Sequence, residues 1–154
     1  FESRETPPYL FLFGSVGSLL RSDESLFEEL NGLRYRTYIN IGLESVDRNT
    51  LKMLGKPITP EKVRCAFERI LSINEAYENV HITANFVIGD SLDPAHYQSM
   101  TALFQEAATP NPKKNVFYLS PLQNSSQKRE LLPAVRDIQA SCKFIVLLYL
   151  IQRL

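Results

Sequence analysis

Cysteine, net charge and long apolar runs are all scarce in this sequence, and each absence excludes a class of protein. Two cysteines, Cys65 and Cys142, are too few for a disulfide scaffold. Alone they also cannot hold an iron–sulfur cluster or a four-ligand zinc ion. Lys plus Arg (17) balances Asp plus Glu (17), so no net field draws the chain to nucleic acid or an anionic membrane. The low cysteine content suits a reducing compartment, and we expect a cytoplasmic protein.

The longest apolar run, Phe144–Ile151, is far too short to span a bilayer. As a helix it would be apolar on every side, and such a helix must be buried all round. We therefore expect this end to contact missing sequence or another subunit, including a homo-oligomer formed through the run itself. Near the other end, Tyr9–Phe13 with Arg4 upstream faintly resembles a secretory signal. Its brevity and the lack of a small-residue cleavage pattern favour a buried strand instead.

The order of predicted elements indicates one α/β domain, which a length of 154 residues also fits. Aromatic and β-branched runs predict four strands, over Pro8–Val16, Tyr35–Glu44, Val80–Gly89 and Val116–Ser120. Start signals and helical spacing predict helices over Ser22–Leu30 and Arg48–Leu54, from Thr59–Pro60, after Asp93–Pro94 and from Ser125 or Ser126. Strict alternation of strand and helix implies a parallel sheet covered by helices, either a small doubly wound sheet or half of a barrel.

Several helix ends are specified by local chemistry. Asp47 can cap the helix Arg48–Leu54, and Gly55 can end it with left-handed backbone. Thr59 and Asp93 each precede a proline, which costs no hydrogen bond at the first helical position. These residues predict where three helices begin.

Alternation along the strands separates an apolar face from a polar one, because successive side chains of a strand point to opposite sides. The predicted polar face carries Tyr38, Asn40, Gly42, Glu44, Thr83, Asn85, Val87, Gly89, Tyr118 and Ser120. A doubly wound sheet is apolar on both faces, whereas a barrel with a wet lumen shows this division. The pattern favours an open or partial barrel with a polar interior, and the alternative is a sheet with one bare face.

The segment Ile41–Ser45 (Ile-Gly-Leu-Glu-Ser), followed by Asp47, Leu51–Lys56 and Thr59–Glu61, resembles the middle of a radical S-adenosylmethionine (radical SAM) domain. Ile82–Gly89 is similar to the next strand of that superfamily. The resemblance is good over roughly residues 37 to 108 and weaker on either side. Its specificity lies in the ordered set of segments, because the Gly-Leu-Glu-Ser piece alone is a weak signal.

The resemblance implies a partial (β/α)6 TIM-like barrel, of which the four predicted strands correspond to the third to sixth. Residues 1–154 would then form a single incomplete barrel domain, a fragment that lacks the N-terminal part. The family's Cys-x3-Cys-x2-Cys loop and its Gly-Gly-Glu-like motif belong to the first two strands and are absent here. Neither Cys65 nor Cys142 matches a cluster ligand. Asp90-Ser91 stands where the family often has Pro-Gly.

The same resemblance implies a parent enzyme that uses a [4Fe-4S] cluster to cleave bound S-adenosylmethionine reductively, releasing a 5′-deoxyadenosyl radical. The cofactor-binding residues that it implies are Glu44, Ser45, Asn40, Asn85 and Ser120. Glu44 stands out because it ends a strand on the polar face, and the active sites of barrel enzymes lie at such strand ends. A carboxylate there can accept hydrogen bonds from ribose hydroxyls. Without cluster cysteines, this chain alone is expected to be inactive, and its catalytic residues are not identified.

Other constellations are weaker. Asp90, Asp93 and His96 have metal-ligand chemistry, but Asp93 is better explained as a helix cap and His96 as an exposed first-turn residue, so no metal site is predicted. Gly14–Gly17 after the first strand is a candidate phosphate loop without the usual lysine. Two alternatives to the radical SAM fragment therefore stay open. One is a non-catalytic half-barrel that acts as an interaction module, and the other is a small α/β enzyme with a phosphate ligand.

Overall fold

Five parallel strands form one sheet in the computed structural model, which describes residues 5–122 and 129–149. The strands are β1 (Tyr9–Ser15), β2 (Arg36–Glu44), β3 (Val80–Ile88), β4 (Val116–Pro121) and β5 (Ile145–Leu148). The helices are α1 (Val16–Arg21), α2 (Glu24–Asn31), α3 (Arg48–Met53), α4 (Pro60–Ala76), α5 (Pro94–Glu106) and α6 (Leu132–Ser141), and Pro112–Lys114 is a 3-10 turn. Helix follows strand throughout, so the predicted α/β alternation is confirmed.

The strand order β1-β2-β3-β4-β5 repeats the order of the chain, and every neighbouring pair is parallel. A doubly wound sheet reverses direction at a switch point, and this order contains no reversal. Since crossovers between parallel strands are right-handed, consecutive order places the helices on one face of the sheet. The opposite face, called the open face below, is therefore left without a helical layer among the described residues.

The core lies between the sheet and the helices. Ile41, Leu43, Ile82 and Phe86 are at most 1% exposed and belong to the apolar face predicted by alternation. Five phenylalanine rings pack together at its centre, with centroid separations of 5.1 to 6.2 Å; they are Phe67, Phe86, Phe104, Phe117 and Phe144. This packing fixes the helical layer and leaves the open face available for function.

The predicted caps are confirmed. The Asp47 carboxylate accepts the Thr50 N–H at 2.9 Å, and Gly55 has a φ of +69° after the end of α3. Thr59 and Asp93 cap α4 and α5 in the same way, by accepting a first-turn N–H.

The apolar run at the end of the chain contains a strand, whereas its burial was argued from the sequence as that of a helix. Ile145–Leu148 is β5 and pairs with β4, so the apolar run extends the sheet. Val146 is 4% exposed and Leu147 is 43% exposed, which is strand alternation. An uninterrupted apolar run has no periodicity to distinguish strand from helix, and the free edge of β4 decided the outcome. The strand count is therefore five where four were predicted, while residues 150–151 and the predicted helix start at Ser125 or Ser126 lie outside the described residues.

A second difference is in the first crossover. The predicted helix Ser22–Leu30 is α2, and a separate helix, α1, precedes it. Ser15 caps α1 in a reciprocal capping box with Ser18, a serine-based version of a signal that usually carries Glu or Gln at its second position. None of the helices in the described ranges combines the length and apolar character needed to cross a bilayer.

The β1 edge of the open face exposes aromatic rings, and we expect it to promote self-association. Phe13 is 85% exposed and Phe11 is 67% exposed, on a strand with no neighbour on its outer side among the described residues. Replacing both by serine should therefore shift the chain toward monomer in concentration-dependent light scattering. As a matched control, Leu26→Ser on exposed α2 removes an apolar side chain away from the edge and should leave the distribution unchanged. Equal association in all three proteins would show that the edge is not the contact.

Candidate functional site

The open face is organised in successive layers from the amino to the carboxyl ends of the strands. The first layer consists of stacked rings, with Phe11 on Tyr38 (centroids 5.6 Å apart) and Tyr38 on His81 (5.1 Å). Side-chain amides form the middle layer, and Glu44 ends β2 at the carboxyl ends of the strands. This order follows from strand register, because Tyr38 pairs with His81 and Gly42 with Asn85.

Glu44 has a strained backbone conformation. Its φ is +67°, and it is the one non-glycine residue in the described ranges with a positive φ. The Ser45 N–H donates to the Leu43 carbonyl at 2.8 Å, which closes a three-residue γ-turn around Glu44. The register with β3 also shifts between Gly42 and Glu44. Such strain persists where surrounding structure holds it, and it is concentrated at functional sites.

The turn folds the Glu44 side chain back over the open face. Its Oε1 lies 2.8 Å from the position that a Cβ on Gly42 would occupy, so Gly42 makes room for the carboxylate. The Glu44 carboxylate itself thus fills the space beside Gly42. Lys56 forms an ion pair with Oε1 at 3.6 Å. With 23% of its side chain exposed, Glu44 remains accessible at the mouth of the sheet.

Ser45 lies away from the open face. It is fully buried, and its hydroxyl is 2.7 Å from His96 Nδ1. The His96 Nε2 is 2.7 Å from the Val87 carbonyl, which can only accept, so Nε2 carries the proton and Nδ1 accepts from Ser45. The Ser45 oxygen in turn accepts the Asp47 N–H at 3.0 Å. These bonds occupy the Ser45 hydroxyl and hold the residue next to the strained turn, and its cofactor contact stays a prediction.

His96 is buried, with 0% exposure, and the expectation of an exposed first-turn residue is wrong. Burial lowers its pKa, and this outweighs the opposing effects of the Val87 carbonyl and of Asp47. His96 is buried because it lies on the inner face of α5, where it forms one buried stripe at helical spacing with Met100 and Leu103. Within the described ranges no three His, Cys, Asp or Glu side chains are grouped as metal ligands.

Asn40 and Asn85, both predicted cofactor contacts, are brought together on the open face. Asn85 Nδ2 donates to Asn40 Oδ1 at 3.0 Å, and Asn40 Nδ2 donates to Asn85 Oδ1 at 3.2 Å. Asn40 Nδ2 also donates to the Thr83 hydroxyl at 2.8 Å. The pair joins β2 to β3 through side chains and lies deeper in the sheet than Glu44.

Ser120 lies near the carboxyl end of β4, in register with Val87. Its hydroxyl oxygen is buried, and within the described ranges no group makes a hydrogen bond to it. A buried hydroxyl without a partner is unfavourable, which favours a ligand or another polar group beside it. One strand separates Ser120 from Glu44, a spacing of about 10 Å for two strand intervals.

The candidate phosphate loop is explained by helix capping. The Ser15 N–H donates to Ser18 Oγ at 2.8 Å, and the Ser18 N–H donates to Ser15 Oγ at 3.1 Å. Two amides that an anion would need are therefore already bonded to side chains.

Comparisons with protein-family models, curated proteins and solved structures found no match for this chain.

Sequence reasoning missed three features of the site. Lys56 was noted only as part of a motif, and its ion pair with Glu44 was not predicted. The role of His96 was hidden because polar residues are usually assigned to the surface. Alternation in β1 would also have predicted that the rings of Phe11 and Phe13 lie on the open face.

Proposed function

We propose that this chain is the later half of a partial barrel of the radical SAM type, and that its open face holds the nucleoside part of S-adenosylmethionine. Consecutive parallel strand order supports the barrel, because strands of a barrel are joined in this order with all helices outside. The division into an apolar helix face and a polar open face supports a lumen. By the family correspondence, β1 to β4 stand for the third to sixth strands.

The strained Glu44 carries the proposal. It places a carboxylate at the carboxyl end of a parallel strand, where barrel enzymes bind their ligands. Ribose hydroxyls donate to such a carboxylate, and charge-assisted bonds of this kind contribute about 1.5–3 kcal/mol. The Ser120 hydroxyl, which has no hydrogen-bond partner among the described residues, supplies a second polar contact across β3. Asn40 and Asn85 form the floor beneath these two groups. In this proposal Ser45 does not contact the nucleoside and contributes only through its hydrogen bond to His96, which holds it beside Glu44.

The described residues do not fit the iron–sulfur cluster. Cys65 is on the exposed side of α4 and Cys142 follows α6, so they offer no group of thiolate ligands. Reductive cleavage of S-adenosylmethionine is accordingly proposed for an intact parent that supplies the cluster. For this chain we propose nucleoside binding alone.

Glu44→Gln tests the proposal, because it keeps the shape of the side chain and removes its charge. Binding of S-adenosylhomocysteine, which does not react, should weaken by roughly ten- to a hundredfold in isothermal titration calorimetry. Glu61→Gln is the matched control, since Glu61 is an exposed carboxylate that pairs with Arg48 on the helical side. Unchanged affinity with a large loss of thermal stability would assign Glu44 to structure, and no binding to the unsubstituted chain would refute the proposed function.

A second candidate function is a non-catalytic interaction module, as a half-barrel that closes against another protein. The exposed rings of Phe11 and Phe13 at the β1 edge favour it. Association through this edge without nucleoside binding would support the module over the radical SAM half-barrel.

A further inference from the structure

The floor of the open face forms a groove of about 250 Å³ whose chemistry differs from that of the mouth. Aromatic rings from β1, β2 and β4 and from the residue after β5 surround it, namely Phe11, Phe13, Tyr38, Tyr118 and Tyr149. Asn40, Asn85 and Thr83 line the same groove. None of the described residues that line the groove carries a formal charge.

The amides that line the groove have hydrogen-bonding capacity that the described residues do not use. Both N–H groups of Asn40 are occupied, by Thr83 and by Asn85. Asn85 uses one of its two N–H groups, on Asn40, in the hydrogen bonds between described residues. Each carbonyl oxygen accepts one bond there and has a second lone pair. The pair therefore has one N–H donor and two oxygen acceptors available. A ligand amide carries one acceptor and one donor, which match these groups.

The lack of charge selects a neutral ligand. A carboxylate or an ammonium group would lose part of its water there, and no described residue of the lining offers an opposite charge to offset that loss. Aromatic walls favour a flat ring, because rings gain from stacked or edge-on contacts with other rings. A groove of about 250 Å³ has room for one ring with a small substituent.

We propose that this groove binds a neutral planar carboxamide or lactam attached to a ring, as the substrate group of the proposed half-barrel. That the ligand is a substrate rests on the proposed function, whereas the chemistry of the ligand rests on the groove alone. Gly42 is in register with Asn85, and the Glu44 carboxylate lies over Gly42. A ligand on the amides is therefore adjacent to a nucleoside held at Glu44.

Benzamide and benzoate provide the direct test, because they have nearly the same shape and differ in charge and donor capacity. In ¹H–¹⁵N spectra of the whole chain, benzamide should shift the side-chain amides of Asn40 and Asn85 saturably. Benzoate should bind at least about tenfold more weakly. Asn85→Ala should weaken benzamide at least about tenfold, and the matched control Asn111→Ala, at an exposed asparagine on the helical side, should not.

Two further variants separate the possible outcomes. Tyr118→Leu retains both amides and should still weaken benzamide, which checks the role of the rings if Asn85→Ala fails to fold. Glu44→Gln should weaken S-adenosylhomocysteine and leave benzamide unchanged, so that failure of the nucleoside proposal is distinguished from failure of this one. Equal affinity for benzoate, shifts confined to other residues, or no saturable shift up to the solubility limit of benzamide would each overturn the inference.

Discussion

Replacing His96 by leucine should lower the free energy of unfolding by about 2–5 kcal/mol, because it removes the acceptor of the buried Ser45 O–H and the side-chain donor to the Val87 carbonyl. Leucine fills similar space, so the loss reports on hydrogen bonds more than on a cavity. Urea unfolding measures it. His81→Leu is the matched control, since His81 is partly exposed on the open face, and it should change stability by less than about 1 kcal/mol.

His96→Leu should also change the pH dependence of stability. Burial holds the pKa of His96 in the folded protein below its unfolded value near 6.5. As the pH falls below that value, the unfolded chain binds the proton before the folded protein does. The stability that neutral His96 contributes is therefore complete above pH 6.5 and is lost progressively below it. His96→Leu should remove this part of the acid-side slope. The part due to His81, whose pKa is also lowered chiefly by burial, should remain. If stability fell with decreasing pH at the same slope in the unsubstituted protein and in His96→Leu, the assignment of this slope to His96 would be refuted.

Gly42→Ala should reduce nucleoside affinity about as much as loss of the Glu44 charge, by roughly tenfold or more. The new Cβ would lie 2.8 Å from Glu44 Oε1, closer than real contacts allow, so the carboxylate must move. Stability should fall by less than about 1 kcal/mol, because the displaced atom is the end of a flexible side chain at a partly exposed mouth. Calorimetry with S-adenosylhomocysteine and urea unfolding together measure the two effects.

Gly14→Ala offers a control with the opposite outcome. Its Cβ would lie 2.9 Å from Ile41 Cδ1, in the buried core behind the sheet. Overpacking there should cost about 1–3 kcal/mol of stability and leave affinity unchanged in the folded protein. If Gly42→Ala behaved like Gly14→Ala, the room beside Gly42 would serve packing and not the site.

Local chemistry made much of the fold predictable. Asp47, Thr59 and Asp93 determine helix starts through contacts within three residues, and alternation in β2 and β3 determines the two faces of the sheet. These features depend on few distant contacts, so the chain itself specifies them.

The remaining features depend on distant parts of the chain. The positive φ of Glu44 has no local signal, because glutamate has no preference for that region, and contacts from α5 through His96 and Ser45 support the turn. The strand β5 forms because β4 has a free edge, which the apolar run could not reveal. The mutual hydrogen bonds of Asn40 and Asn85 required the register of β2 on β3. The site thus combines predictable residues in an arrangement that only the sheet determines.

Nuclear Overhauser contacts between the isotope-labelled chain and bound S-adenosylhomocysteine would locate the nucleoside directly. We predict contacts from the Glu44 and Ser120 side chains to the ribose and adenine protons, and their loss in Gly42→Ala. Contacts confined to the groove between α4 and α5, which Arg64, Leu71 and Leu103 line, would contradict a nucleoside site on the open face.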